Sequence, residues 1–188
     1  MDTTRCFVAL PIQPPASAQI AQLQRQMSSR LDAIRWVALD TIHITLKFVG
    51  DIPNLDLPKV CDAVSAACAG LQPFGVSLSE FGVFPSMESP RVLWVGIDDG
   101  QDTLRELRQK MDEPLLDLGV PIEQRQFNPH LTLGRLLKDI DTTKLADLMQ
   151  RYKDKTTTEF LADRVVLYSS TKHRGAFIYE PIHTVHLS

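Results

Sequence analysis

The sequence predicts an α+β protein of two pseudo-symmetric lobes, built of mainly antiparallel sheet with outer helices around a central cleft. Three observations carry this expectation. The phrase His-x-Thr-Leu occurs twice, in "IHITLKFVG" at 42–50 and "PHLTLGRL" at 129–136, with histidines 43 and 130 set 87 residues apart. Outward from either histidine the same order of elements unfolds: strand, helix, His-x-Thr strand, helix, hairpin. No linker or low-complexity segment divides the copies, so 1–188 is expected to be a single bilobal domain with an internal repeat of roughly 5–98 and 91–187.

The elements follow in order. "CFVALPI" at 6–12 is a strand and matches "LWVGIDD" at 93–99 at the same offset. Ile20, Leu23, Met27 and Leu31 mark one face of a helix entered through Pro14-Pro15. Its counterpart carries Leu104, Leu107, Met111, Leu115 and Leu118, with Pro114 expected to kink or interrupt it. A helix after His43 is marked by Leu57, Val60, Cys61, Val64 and Cys68, and one after His130 by Leu145, Leu148, Met149 and Tyr152. Each is followed by a hairpin: "FGVSLSEFGVF" with "RVLWVGI", then "FLADRVVLYSS" with "AFIYEPIHTVHL", joined by "PSMESP" and "TKHRG".

Composition narrows the function classes. A 188-residue chain with 44% hydrophobic and 23% charged residues suits one soluble globular domain. A net charge of -3 argues against a general polyanion binder and leaves room for a local basic patch. No apolar run approaches the roughly 18 residues of a membrane span, and the N-terminus, with Asp2 and a short apolar run, is not expected to act as a secretory signal. The three cysteines, Cys6, Cys61 and Cys68, form no CxxC pair and suit a reducing cytoplasm. Cys61 and Cys68, seven apart, are expected to face the core.

On a strand, side chains alternate faces. His43 and Thr45 therefore share one face, opposite Ile44, Leu46 and Phe48, and His130 with Thr132 oppose Leu131 and Leu133. One histidine on a strand signifies little. Two at equivalent places in a repeat suit a reaction that needs a base and an acid together, since imidazole holds either protonation state near neutrality. Two threonine hydroxyls beside them suit an anion whose charge must be stabilised during in-line displacement, as at a phosphate ester. Lys47 lies on the His43 face by parity and is a candidate substrate contact; solvation is its alternative.

The two motifs, with "CFVALPIQP" and "VVLYSS", resemble the 2H phosphoesterase superfamily along nearly the whole chain, and within it the RNA 2',3'-cyclic phosphodiesterases, also called 2'-5' RNA ligases. That resemblance implies an enzyme with no metal or cofactor. It would open the 2',3'-cyclic phosphate end of an RNA or oligonucleotide to a 2'-phosphomonoester, with reversible 2'-5' ligation as the same chemistry run backwards. It implies His43 as general acid, His130 as general base, and Thr45, Thr132 and Arg135 as phosphate contacts. Simple alternation opposes Arg135, five residues beyond His130, unless a bulge lies near Gly134. Phe48 occupies the repeat position of Arg135 and is a candidate to stack on a base, with core packing as its alternative. The chain departs from the family where a Glu commonly follows the tyrosine of "LYSS"; here Ser169 stands.

Rival readings remain. His183 and His186 invite a metal site, but odd spacing on a strand separates them and no carboxylate or cysteine cluster completes a ligand set. A non-catalytic RNA-binding module would be expected to have lost a motif residue. Other substrates, a 2',5'-oligonucleotide or an ADP-ribose cyclic phosphate, suit the same motifs. Arg91, Lys172 and Arg174 are candidates to meet RNA phosphates from the hairpin turns. No membrane and no obligatory protein partner are expected.

Overall fold

The computed structural model describes residues 2–138, 140–153, 159–173 and 176–188, with Ala176 described in its backbone alone. β1 (Thr3–Pro11) buries every residue from Cys6 to Leu10, so both faces of this apolar run are covered. α1 (Ala16–Ser28) begins after Pro15 and buries Ile20 and Met27, with Leu31 buried beyond its end. β2 (Ile34–Trp36) precedes β3 (His43–Pro53), and α2 (Leu57–Cys68) follows. Cys68 is buried, whereas Cys61 is half-buried at the core's edge, so the expectation that both face the core holds in full for Cys68 alone.

The run at 74–84 divides into β4 (Phe74–Val76) and β5 (Leu78–Phe84). The break is at Ser77, whose hydroxyl donates to Asp99 Oδ2 at 2.8 Å and accepts from the Asp99 N–H at 3.1 Å. β6 (Val92–Ile97) leads into α3 (Gln101–Leu116), which is not interrupted: Pro114 falls in the last turn, where its missing N–H forfeits a single helical bond. β7 (His130–Leu136) and α4 (Thr142–Tyr152) complete the second motif region. Asp141 caps α4 by accepting from the N–H groups of Thr143 and Lys144. β8 (Phe160–Ala162), β9 (Arg164–His173) and β10 (Ala176–His186) end the chain, and β8 pairs with β4 in a separate two-stranded sheet.

The main sheet runs β10-β9-β1-β3-β7-β6-β5, with β2 paired on β7, and every pairing is antiparallel. The fold is α+β and mainly antiparallel, as expected. The two motif strands, β3 and β7, are central neighbours that meet at Ile44 and Leu131. The hairpin β9–β10, which follows the second motif in sequence, lies on the first motif's side of the sheet; β5–β6 lies on the second's.

One face of this sheet is closed. Val8, Leu10, Ile44, Leu46, Leu93, Val95, Leu131 and Leu133 are all buried there, joined in one apolar cluster with residues of all four helices. α3 packs on β3, and α2 on β9 and β10. The opposite face carries the half-buried His43, Thr45, Trp94, His130 and Thr132. Gly134 lets β2 approach β7: a Cβ there would lie 2.6 Å from Ile34 Cγ2.

Candidate active site

Each motif strand carries an extra residue at the same place in the repeat, and β3 carries a second one at Val49, between the Phe7–Phe48 and Cys6–Gly50 pairs. Opposite β1, Ala9 faces Thr45 and Val8 faces Lys47, so Leu46 is the bulged residue. Opposite β6, Trp94 faces Thr132 and Leu93 faces Gly134, so Leu133 is. A bulge resets the alternation of side chains that follow it. Arg135, paired with Val92, thereby joins His130 and Thr132 on the open face, and the conflict with simple alternation disappears.

The same reset in β3 corrects two sequence expectations. Phe48, paired with Phe7, turns to the open face and is 65% exposed, not on the side of Ile44 and Leu46. Lys47 turns to the closed face. Its side chain is 0% exposed, and Nζ donates to Asp112 Oδ1 at 2.7 Å and to the Pro121 carbonyl at 3.1 Å. Arg108 lies on the other side of Asp112 at 3.7 Å, with Glu123 at 3.7 Å and the Phe127 ring at 5.4 Å. Lys47 is therefore a buried ion-pair residue tying β3 to α3 and to the segment before His130, away from the open face.

The histidines are held alike. Nδ1 of His43 donates to the Thr41 carbonyl at 2.7 Å, and Nδ1 of His130 to the Asn128 carbonyl at 2.8 Å. A carbonyl only accepts, so Nδ1 carries the proton and Nε2 keeps the lone pair in each neutral ring. Thr45 Oγ lies 3.1 Å from His43 Nε2 and is its hydrogen-bond partner. Burial lowers both pKa values below the ordinary 6.5, while each backbone carbonyl partly offsets this. Charge on His130 lowers His43 further, so a proton on one ring disfavours a proton on the other.

Aromatic side chains wall both rings, and alternation within the motifs gives no sign of them. Around His43 stand Phe7 at 4.9 Å, Tyr179 edge-on at 5.4 Å and Tyr168 at 6.4 Å between centroids. Around His130 stand Phe84 edge-on at 5.0 Å and Trp94 at 5.9 Å. Burial raises both tyrosine hydroxyls, and the charge of Arg135 partly offsets this at Tyr179. Parity with Phe7 across β1 and β9 is the signal that locates Tyr168.

The remaining candidates lie elsewhere. Ser169 is buried and paired with Cys6, on the face away from the histidines, and its hydroxyl donates to the Glu180 carbonyl at 3.3 Å. Arg91 and Lys172 are exposed, and Arg174 lies outside the described residues. His183 Nε2 pairs with Ser65 Oγ at 2.8 Å. Among the described residues no helix is long and apolar enough to cross a membrane, and no group of three or more His, Cys, Asp or Glu is placed to hold a metal.

Residues 11–174 match the model of the 2'-5' RNA ligase superfamily. The chain belongs to that superfamily. Within it, the chain is 33% identical to an RNA 2',3'-cyclic phosphodiesterase of Methanocaldococcus jannaschii, over 95% of this chain and 98% of the relative. A protein of the same name from Aquifex aeolicus is 26% identical over 100% of this chain and 99% of its own. Solved structures share the fold: the crystal structure of a Thermus thermophilus protein superposes with a TM-score of 0.80 at 19% identity, covering 97% of each chain. Escherichia coli LigT complexed with 3'-AMP does so with 0.78 at 21% identity, covering 100% of this chain and 99% of that one.

Proposed function

We propose that this superfamily member hydrolyses the 2',3'-cyclic phosphate terminus of RNA to a 2'-phosphomonoester. One observation carries the reading. Two histidines on adjacent central strands each spend Nδ1 on a backbone carbonyl, which leaves the Nε2 lone pair of each for acid–base chemistry. Relatives named RNA 2',3'-cyclic phosphodiesterase support the substrate.

His130 Nε2 takes a proton from water as its oxygen attacks phosphorus. The P–O3' bond breaks in line, and protonated His43 gives its Nε2 proton to the departing O3', leaving the phosphate on O2'. Thr45 and Thr132 donate to the non-bridging oxygens, Arg135 offsets their charge, and Phe48 stacks on the terminal base. Attack by an RNA 5'-hydroxyl on the cyclic phosphate would give ligation in place of hydrolysis. The resemblance assigns acid and base; charge on His130 lowers His43, so the two rings disfavour a second proton. The whole chain is proposed to act as one bilobal domain without cofactor, in the cytoplasm, where Cys6, Cys61 and Cys68 stay unpaired.

Phosphorus NMR of 2',3'-cyclic AMP turnover tests the reading. A 2'-phosphate product is expected, with His43→Ala and His130→Ala each losing about 10²–10⁴-fold in kcat. With a leaving group that needs no protonation, His43→Ala should recover and His130→Ala should not. A 3'-phosphate product, or full rates in both variants, would overturn it.

A further inference from the structure

The open face continues beyond the two histidines onto the β9–β10 hairpin. Cross-strand partners share a face. Phe7 faces Tyr168, Tyr168 faces Pro181, Ser170 faces Tyr179, and Lys172 faces Phe177, so these side chains line the face that holds His43. The rings form a series: Tyr179 stands edge-on to His43, and Phe177 stacks on Tyr179 with centroids 6.4 Å apart and planes 21° apart. Phe177 is 46% exposed, and Lys172 beside it is exposed as well.

An exposed ring stacked outward from a catalytic centre, with a cation at its side, matches the elements that hold single-stranded nucleic acid: a π-face for a base and a charge for the backbone. Phe177 and Tyr179, two residues apart, are separated by about 6.6 Å along the strand, so a base stacked on Phe177 lies one step outward from the wall of the His43 site. A mononucleotide bound between the histidines would leave Phe177 unused.

We infer that the β9–β10 hairpin is a second nucleotide subsite, in which Phe177 stacks the penultimate base and Lys172 counters the phosphate joining it to the terminal one. The subsite rests on the phosphodiesterase reading above. It makes the preferred substrate an oligonucleotide end, not a free cyclic mononucleotide.

The test compares kcat/KM for 2',3'-cyclic AMP with that for ApA ending in a 2',3'-cyclic phosphate. Stacking of one base predicts about a tenfold or greater advantage for the dinucleotide. Phe177→Ala should remove that advantage and leave turnover of the mononucleotide within about twofold of wild type; Phe177→Trp should restore it. Lys172→Gln should lower the dependence of dinucleotide kcat/KM on log salt by about 0.7. Equal kcat/KM for both substrates in the wild type, or an equal loss on both in Phe177→Ala, would overturn the subsite while leaving the phosphodiesterase reading in place. Failure to turn over either substrate would overturn both.

Discussion

Lys47→Met separates the buried role of this lysine from the substrate contact that its place in the motif suggests. Methionine keeps most of the apolar stem and removes Nζ, and with it the 2.7 Å bond to Asp112 and the 3.1 Å bond to the Pro121 carbonyl. Breaking a buried pair by deleting one partner costs about 3–5 kcal/mol, because the surviving charge is left without its counterpart. Asp112 is 13% exposed and keeps Arg108 at 3.7 Å, which sets the expected loss at the lower end, about 3 kcal/mol. Urea unfolding reads this as a lower midpoint at constant m-value. Asp112→Asn in the same background should then cost clearly less than it does alone, with a coupling of about 1–3 kcal/mol. Under conditions where the variant is folded, kcat/KM should fall far less than in Arg135→Ala. A wild-type midpoint together with a tenfold or greater loss of kcat/KM would refute the buried assignment and return Lys47 to the substrate.

Four further outcomes are expected. Since both histidines titrate below 6.5, the alkaline limb of kcat/KM should lie below that value, and that of kcat should lie higher once an anionic substrate is bound; a free-enzyme limb above 7 would contradict the lowered pKa values. The same depression means that the stability each histidine contributes is complete above pH 6.5 and is lost as pH falls through its folded value, so thermal scans from pH 7.5 to 5 should show a decline that His43→Ala and His130→Ala each reduce. Thr132→Val keeps the β-branched shape and removes one donor, so kcat should drop about a hundredfold with KM little changed, and an unaltered kcat would remove Thr132 from the phosphate site. Gly134→Ala drives a methyl to 2.6 Å from Ile34 Cγ2, so it should cost about 1–3 kcal/mol and speed amide exchange in β2; unchanged melting would show that β2 does not pack there.

The repeat made the architecture legible, because helix and strand periodicities are local and the offset between the histidines aligned them. His43, Thr45, His130 and Thr132 fall where alternation puts them, since no irregularity separates them within each motif. Lys47 and Phe48 do not, because register belongs to a pair of strands and the extra residue at Leu46 shows only against β1. The same irregularity is inferable near Gly134, where Arg135 conflicts with parity. β2 and the β4–β8 sheet are three-residue pairings, too short for any periodic signal. The aromatic walls come from strands far apart in sequence, brought together when β9 pairs with β1 and β6 with β7.

The matched bulges have a chemical corollary. A site perfectly symmetric about its axis would receive a cyclic phosphate equally well in two orientations, and the two ester oxygens would be interchangeable to it. The residue after each bulged pair breaks that equivalence, with an aromatic ring at Phe48 on one side and a guanidinium at Arg135 on the other. On the proposed reaction, the base end of the nucleotide is drawn to one flank and the phosphate oxygens to the other, so only one P–O bond lies in line with the attacking water. On that proposal, regiochemistry follows from one of the divergent positions in a duplicated strand.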